Sequence, residues 1–246
     1  MNVQELVKEV CPPIGEMGHL FYFAPETLKR AEELGIDGFR FYFLGRGGVL
    51  GDVEYQVVAS AFGYFKETVV EQMWNSGREV ISPRKAGREY LECARAYGRT
   101  HFSALRGLGE FCAAAEKING SVERGALALY SGVAAEPLPD DLAGRAMQLV
   151  VVLREFRGSA HLLAVVASGL TPLEAHYMRR PNEFKLFGYR DEDVPVLNDE
   201  HRKRLADADA LTDRIVATAF SVLSDAEMDD LAEGVKRMEG AVDSGG

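Results

Sequence analysis

The chain has 246 residues, 47% hydrophobic and 27% charged, with a formal net charge of −10. Such a composition is ordinary for a globular protein, and the length suffices for a core without covalent staples. The three cysteines, Cys11, Cys93 and Cys112, lie far apart and form no CxxC pair. That excludes a disulfide scaffold and a zinc knuckle, and fits a reducing, cytoplasmic setting. No apolar run reaches the roughly 18 residues a membrane-spanning helix needs, and MNVQELVKEV has no signal-peptide core. From residue 182 onward, eight Lys and Arg face sixteen Asp and Glu. An acidic surface repels a phosphate backbone, so nucleic acid is an unlikely partner on charge alone. The basic run His201-Arg202-Lys203-Arg204 reads as a solvated helix face.

Helical signals dominate in chain order, and the fold class they define is mainly α. Gln4 to Val10 is amphipathic and is expected to stop at Pro12-Pro13, with a second piece over Ile14 to Phe23. Pro25 suits the first turn of a helix that Gly35 closes. Phe39 to Phe43 alternates like a strand but has no partner strand, so it is read as helix. Leu44 to Asp52, with Gly45, Gly47, Gly48 and Gly51, lacks the Gly-Lys-Ser/Thr of a phosphate loop. It is expected to be a turn, or a backbone nest for an anion with Arg46 behind it. Tyr55 to Trp74 reads as one long buried helix, Pro83 to Ile118 as another, and Ser121 to Tyr130 as a third. After the Pro137/Pro139 break, Asp140 starts a helix reaching Ser168. Thr171-Pro172 opens a shorter one, and Asn198 or Asp199 caps one toward Val222. Ser224 with Glu227 is a capping box for the last helix, and the tail from Asp243 to Gly246 should fray.

Two clusters could carry chemistry. His19, Tyr22 and Glu26 fall at i, i+3 and i+7, on one face if the stretch stays helical. Arg154, Arg157 and His161 repeat that spacing inside a strongly apolar helix. Buried guanidinium groups need partners there. The partner is a ligand carboxylate or phosphate, or an acid of the chain such as Glu26 or Glu174; Glu155 looks too close along the helix to pair well. His176 is a third imidazole that converges if the fold allows. His19, His161 and His176 with Glu26 or Glu155 are adequate metal-ligand types, but no HExxH-like spacing exists and no metal is expected. No cofactor motif and no nucleophile elbow is present.

The residues 19–26 (HLFYFAPE), 43–51 (FLGRGGVLG) and 153–161 (LREFRGSAH) together resemble an actinobacterial family whose members carry a helix-turn-helix domain. The likeness extends through Gly169 to His176 and Leu211 to Arg214, nearly the whole chain. It implies a regulator-like fold and no particular reaction. Leu223 to Met238 is similar to the dimerisation helices of MarR-type winged-helix regulators. Against that pattern, the stretch 191–197 (DEDVPVL) leaves little room for a recognition helix and wing, and its acids oppose phosphate.

The expectation is therefore a helical body over 1–169 with a ligand pocket, and a reduced winged-helix-like part over 170–246. That second part would hold a homodimer together through Ile215, Phe220, Val222, Leu223, Leu231 and Val235. The pocket would bind a small, anionic molecule through Tyr22, Glu26, Arg46, Glu155, Arg157 and His176. If catalytic, it would do acid-base chemistry with His161 or His19 as base. A ligand-responsive regulator and an accessory structural partner are the alternatives.

Overall fold

The computed structural model describes residues 1–243, and among them the chain is twelve α-helices without a strand. The expectations for residues 244–246 lie outside the described residues.

Helix α1 spans Val3–Met17 and opens on a capping box between Asn2 and Glu5. It runs through Pro12 and Pro13 rather than stopping there, which corrects the reading of two pieces. The prolines leave the carbonyls of Lys8 and Glu9 without helical donors. Both residues lie on the exposed face of the helix. Helix α2 (Pro25–Glu33) follows a turn, and α3 (Gly38–Gly47) is capped by the Asp37 carboxylate, which accepts from Phe39 N and Arg40 N.

The glycine-dense stretch is not a loop or an anion nest. Gly45 and Gly47 belong to α3, and Gly48 starts a single 3-10 turn. Their small size serves packing against Trp74 and the helix α6 (Pro83–Phe102). A Cβ on Gly45 would lie 2.3 Å from the Tyr90 ring, and one on Gly48 would lie 2.0 Å from the Pro83 carbonyl oxygen.

Two long helices expected from periodicity are each split by a glycine at positive φ. Gly63 (φ +73) separates α4 (Tyr55–Phe62) from α5 (Glu67–Arg78). Gly107 (φ +81) separates α6 from α7 (Leu108–Ser121). The next helix is then α8 (Ala128–Ala134), later than Ser121 suggested.

Helix α9 (Leu142–Ala167) is capped by Asp141 and forms the axis of the molecule. It is apolar nearly all round, as a helix surrounded by others must be. It packs on α1, α6, α7 and α8, and on α11 (Asp199–Phe220). Between α9 and α11 lie the short α10 (Pro172–Arg179) and two 3-10 turns. Helix α12 (Asp225–Asp243) covers α1 and α7, and Ser224 and Glu227 form the expected box at its start.

The segment after Leu170 is helical with two 3-10 turns and has no β-wing among its described residues. Two of its acids are paired, Asp193 with Lys66 of the preceding body at 2.7 Å and Asp191 with Lys185 at 3.0 Å. The apolar area assigned to a second copy is spent inside the chain. Phe220, Leu223, Leu231 and Val235 are buried in the same core as α1 and α7, and only Val222 is exposed. That removes the physical basis given for a homodimer through the last two helices.

Candidate functional site

A cavity of about 880 Å³ lies between α1, α3, α4, α9, α10 and α11. Two helices turn a glycine toward it. At Gly15 of α1 and Gly158 of α9, a Cβ would meet no atom within 4 Å. Gly158 sits mid-way along the central helix and is exposed, although the residues on either side along the apolar face are buried.

The inner end of the cavity is built on Glu155, buried at 3% exposure. Arg46 grips this carboxylate with two parallel bonds, Nε to Oε1 at 2.8 Å and Nη2 to Oε2 at 2.9 Å. Arg154 Nη1 donates to the same Oε1 at 2.9 Å, and the Tyr22 hydroxyl donates to it at 3.3 Å. Arg46 also donates to the Tyr42 hydroxyl at 3.2 Å and lies 4.5 Å above the Phe62 ring. Burial alone would raise the Glu155 carboxyl, but Arg46 and Arg154 outweigh it and hold it at about 2. Burial pushes the Tyr22 phenol up, so it stays protonated and can donate. Two guanidinium groups thus share one carboxylate and leave one positive charge over. Arg154 commits one N–H to Glu155; its Nε and Nη2 have no partner among the described residues, and its side chain lines the cavity a quarter exposed.

Along α9 the wall continues through Arg157 and His161, paired with acids of α11. Arg157 Nη1 lies 3.1 Å from Asp213 Oδ1, near enough for an ion pair but not aligned as a hydrogen bond. His161 Nδ1 lies 3.0 Å from Thr212 Oγ1 and 3.8 Å from Asp209, which itself pairs with Arg179. Burial, then Arg179 and Arg157, push the His161 imidazole down to about 4 against the pull of Asp209 and Asp213. It is neutral at pH 7 and a weak base. His176 is buried against Phe187, 4.0 Å between ring centres, and its Nε2 has no partner, like the nearby Tyr64 hydroxyl. Cys11 also lines the cavity, and burial pushes its thiol up to about 12, far from a thiolate nucleophile.

The sequence-derived candidates converge with one exception. His19, Tyr22, Arg46 and Glu155 line the cavity, as do Arg157, His161 and His176. Glu26 does not. Helix α1 ends at Met17 and a turn follows, so the shared face ends before Glu26, which is exposed at the start of α2. The pairing is also corrected: Glu155 does bind Arg154, and Arg157 finds Asp213 rather than Glu26 or Glu174. His19 sits at the rim, its Nδ1 3.1 Å from Gly15 O. Tyr42, Gly158, Asp209 and Asp213 also line or flank the cavity and do not stand out from spacing within one helix alone. The i, i+4 pair Asp209/Asp213 on one helix, facing Arg157/His161 at the same spacing on another, was a usable signal. No cluster of three or more His, Cys, Asp or Glu side chains able to hold a metal occurs among the described residues. Nor is any described helix long and apolar enough to cross a membrane.

An all-α chain with a cationic, aromatic-walled internal cavity is the class that fold and site define. The model of a helix-turn-helix family matches residues 8–191, three quarters of the chain, so the protein belongs to that family. The matched span carries the cavity walls from Cys11 to Phe187; the α11 wall lies beyond it. No curated protein and no solved structure matches the chain.

Proposed function

We propose that the protein binds a small anionic molecule in the 880 Å³ cavity. The volume lies in the range that encloses drug-sized ligands, and a few polar groups in an apolar lining are what such sites use for orientation. The observation that carries the reading is Arg154, a cation at the cavity wall whose carboxylate partner, Glu155, is already held by two bonds to Arg46. An anion there would complete the charge balance and take the free N–H groups.

Gly158→Leu provides the test, because it fills the cavity without touching a charge. Replacing a mid-helix glycine also favours the helix by up to about 1 kcal/mol. In a thermal-shift screen of carboxylates, phosphates and uncharged analogues, anionic compounds should raise the melting temperature of the unaltered protein by several degrees. Gly158→Leu should melt no lower on its own and lose that rise. Arg154→Met should weaken anions by roughly 10- to 100-fold and leave uncharged analogues alone. An undiminished rise in Gly158→Leu would show that the compounds bind elsewhere.

Membership of a helix-turn-helix family favours a second reading, a regulator whose DNA attachment the ligand controls. The net charge of −10 and the missing wing weigh against strong attachment. A gel shift with pooled genomic fragments at about 50 mM salt, where electrostatic attachment is strong, decides it. The regulator predicts retardation that fades as salt rises; no retardation removes it.

A further inference from the structure

We infer that the ligand is an elongated aromatic anion with a hydroxyl or N–H donor two helical turns from its anionic group, Arg154 holding one end and His161 Nε2 the other. The inference rests on the small-molecule reading above and adds the ligand's class and length.

The first support is the His161 tautomer. The Thr212 hydroxyl has one hydrogen, and it points at the Ala208 carbonyl 2.7 Å away. Its oxygen can then only accept from His161 Nδ1, at 3.0 Å. The Asp209 carboxylate, 3.8 Å from the same nitrogen, also favours a hydrogen on Nδ1. With the ring neutral, Nε2 carries a lone pair and no hydrogen. Among the described residues it has no partner, and His161 lines the cavity. Arg157 and Arg179 face the ring as well as Asp209 and Asp213, and the two cations oppose protonation. A ligand atom meeting Nε2 must therefore donate.

Spacing is the second support. Arg154 and His161 are seven residues apart on α9, hence on one face and about 10.5 Å apart along the axis. Gly158 lies between them with open space above it, and Arg157, on the same face, is engaged by Asp213 of α11. Across the cavity stand Tyr42, Phe62 and Phe65, with ring centres 5.9 to 6.2 Å from one another. Ring faces and edges of that kind favour a flat aromatic body by offset or edge contacts.

Biphenyl carboxylate, with and without a para hydroxyl on the distal ring, is a ruler of matching length. Benzoate and para-hydroxybenzoate are too short to span both ends. Titration calorimetry should show the hydroxyl strengthening the biphenyl by about tenfold in the unaltered protein and by nothing in His161→Phe. The benzoate pair should show no gain in either. An equal gain in His161→Phe, or none in the unaltered protein, overturns the assignment. If neither biphenyl binds, the ligand class is wrong, while the cavity reading is still decided by Gly158→Leu. Side-chain nitrogen NMR of the free protein gives a second readout independent of folding variants. It should show His161 neutral with a pyridine-type Nε2, and a protonated Nε2 at pH 7 overturns the proposal.

Discussion

Glu155→Gln is expected to destabilise the protein by about 3–5 kcal/mol and, in the same variant, to tighten the binding of anions. The stability loss follows from what remains. Arg46, with a side chain 16% exposed, and Arg154 would share a buried space with no counter-charge. Removing one partner of a buried ion pair costs about that much, because the surviving charge stays desolvated. The pair itself need not be strongly stabilising. Replacing Arg46 and Glu155 together by Met and Leu should recover much of the loss, as a well-packed apolar pair often equals a buried ionic one. Acid should mimic the variant. The Glu155 carboxyl is held at about 2 against an ordinary 4.5, so its contribution is complete above pH 4.5 and disappears as pH falls toward 2. The binding gain separates this account from a merely structural one. Without Glu155 the inner end of the cavity carries two uncompensated positive charges instead of one. Urea unfolding gives the first quantity, and the extra melting-temperature rise with a carboxylate ligand gives the second. A variant that loses stability but gains no affinity for anions would mean that Arg46 and Arg154 do not face the ligand.

The elements that sequence reasoning reads best are those whose signal is local. Ser224 with Glu227 is a reciprocal cap that forms as expected, and Thr171, expected to open a short helix, does so in the same way with Glu174. The glycines defy local reading in both directions for one reason: their role depends on what stands opposite. Gly45, Gly47 and Gly48 look like a loop but are held helical or nearly so, because Tyr90, Trp74 and the Pro83 backbone leave no room for a side chain. Gly63 and Gly107 look like tolerated glycines inside helical periodicity, yet each takes positive φ and breaks it. The site shows the same division. That Arg154, Arg157 and His161 share a face follows from their spacing along α9. That Arg46 meets Glu155, 109 residues away, follows only from how those small glycines seat α3 against α5 and α6, the latter in turn packed on α9. Glu26 was lost because the turn after Met17 rotates the chain out of register with the face that His19 begins.

His161 should make the protein lose stability below pH 6.5, well before the carboxylates begin to titrate. Its ordinary value is 6.5 and burial, with Arg179 and Arg157, lowers it to about 4 in the folded chain. The unfolded chain therefore takes up a proton that the folded chain refuses. Stability is complete above pH 6.5, falls by about 1.4 kcal/mol per pH unit through the window, and stops falling near pH 4. Between pH 6.5 and 5 that amounts to about 2 kcal/mol. The side chain is only 20% exposed, so solvent does little to blunt it. His161→Asn is the fitting control, since its amide can still donate to Thr212 but does not titrate. Urea unfolding at pH 7 and pH 5 should show the unaltered protein losing about 2 kcal/mol more than the variant. The other four histidines are common to both proteins and cancel in the difference. The same depression bears on binding. With the imidazole neutral down to about pH 4, an anionic ligand that donates to Nε2 should bind equally well at pH 7 and pH 5, provided its acid group stays ionised. A histidine at its ordinary value would protonate in that interval, lose the Nε2 acceptor and release the donor. Parallel losses in the two proteins, or an affinity that drops tenfold between those pH values, would place His161 in contact with water rather than in the wall of the cavity.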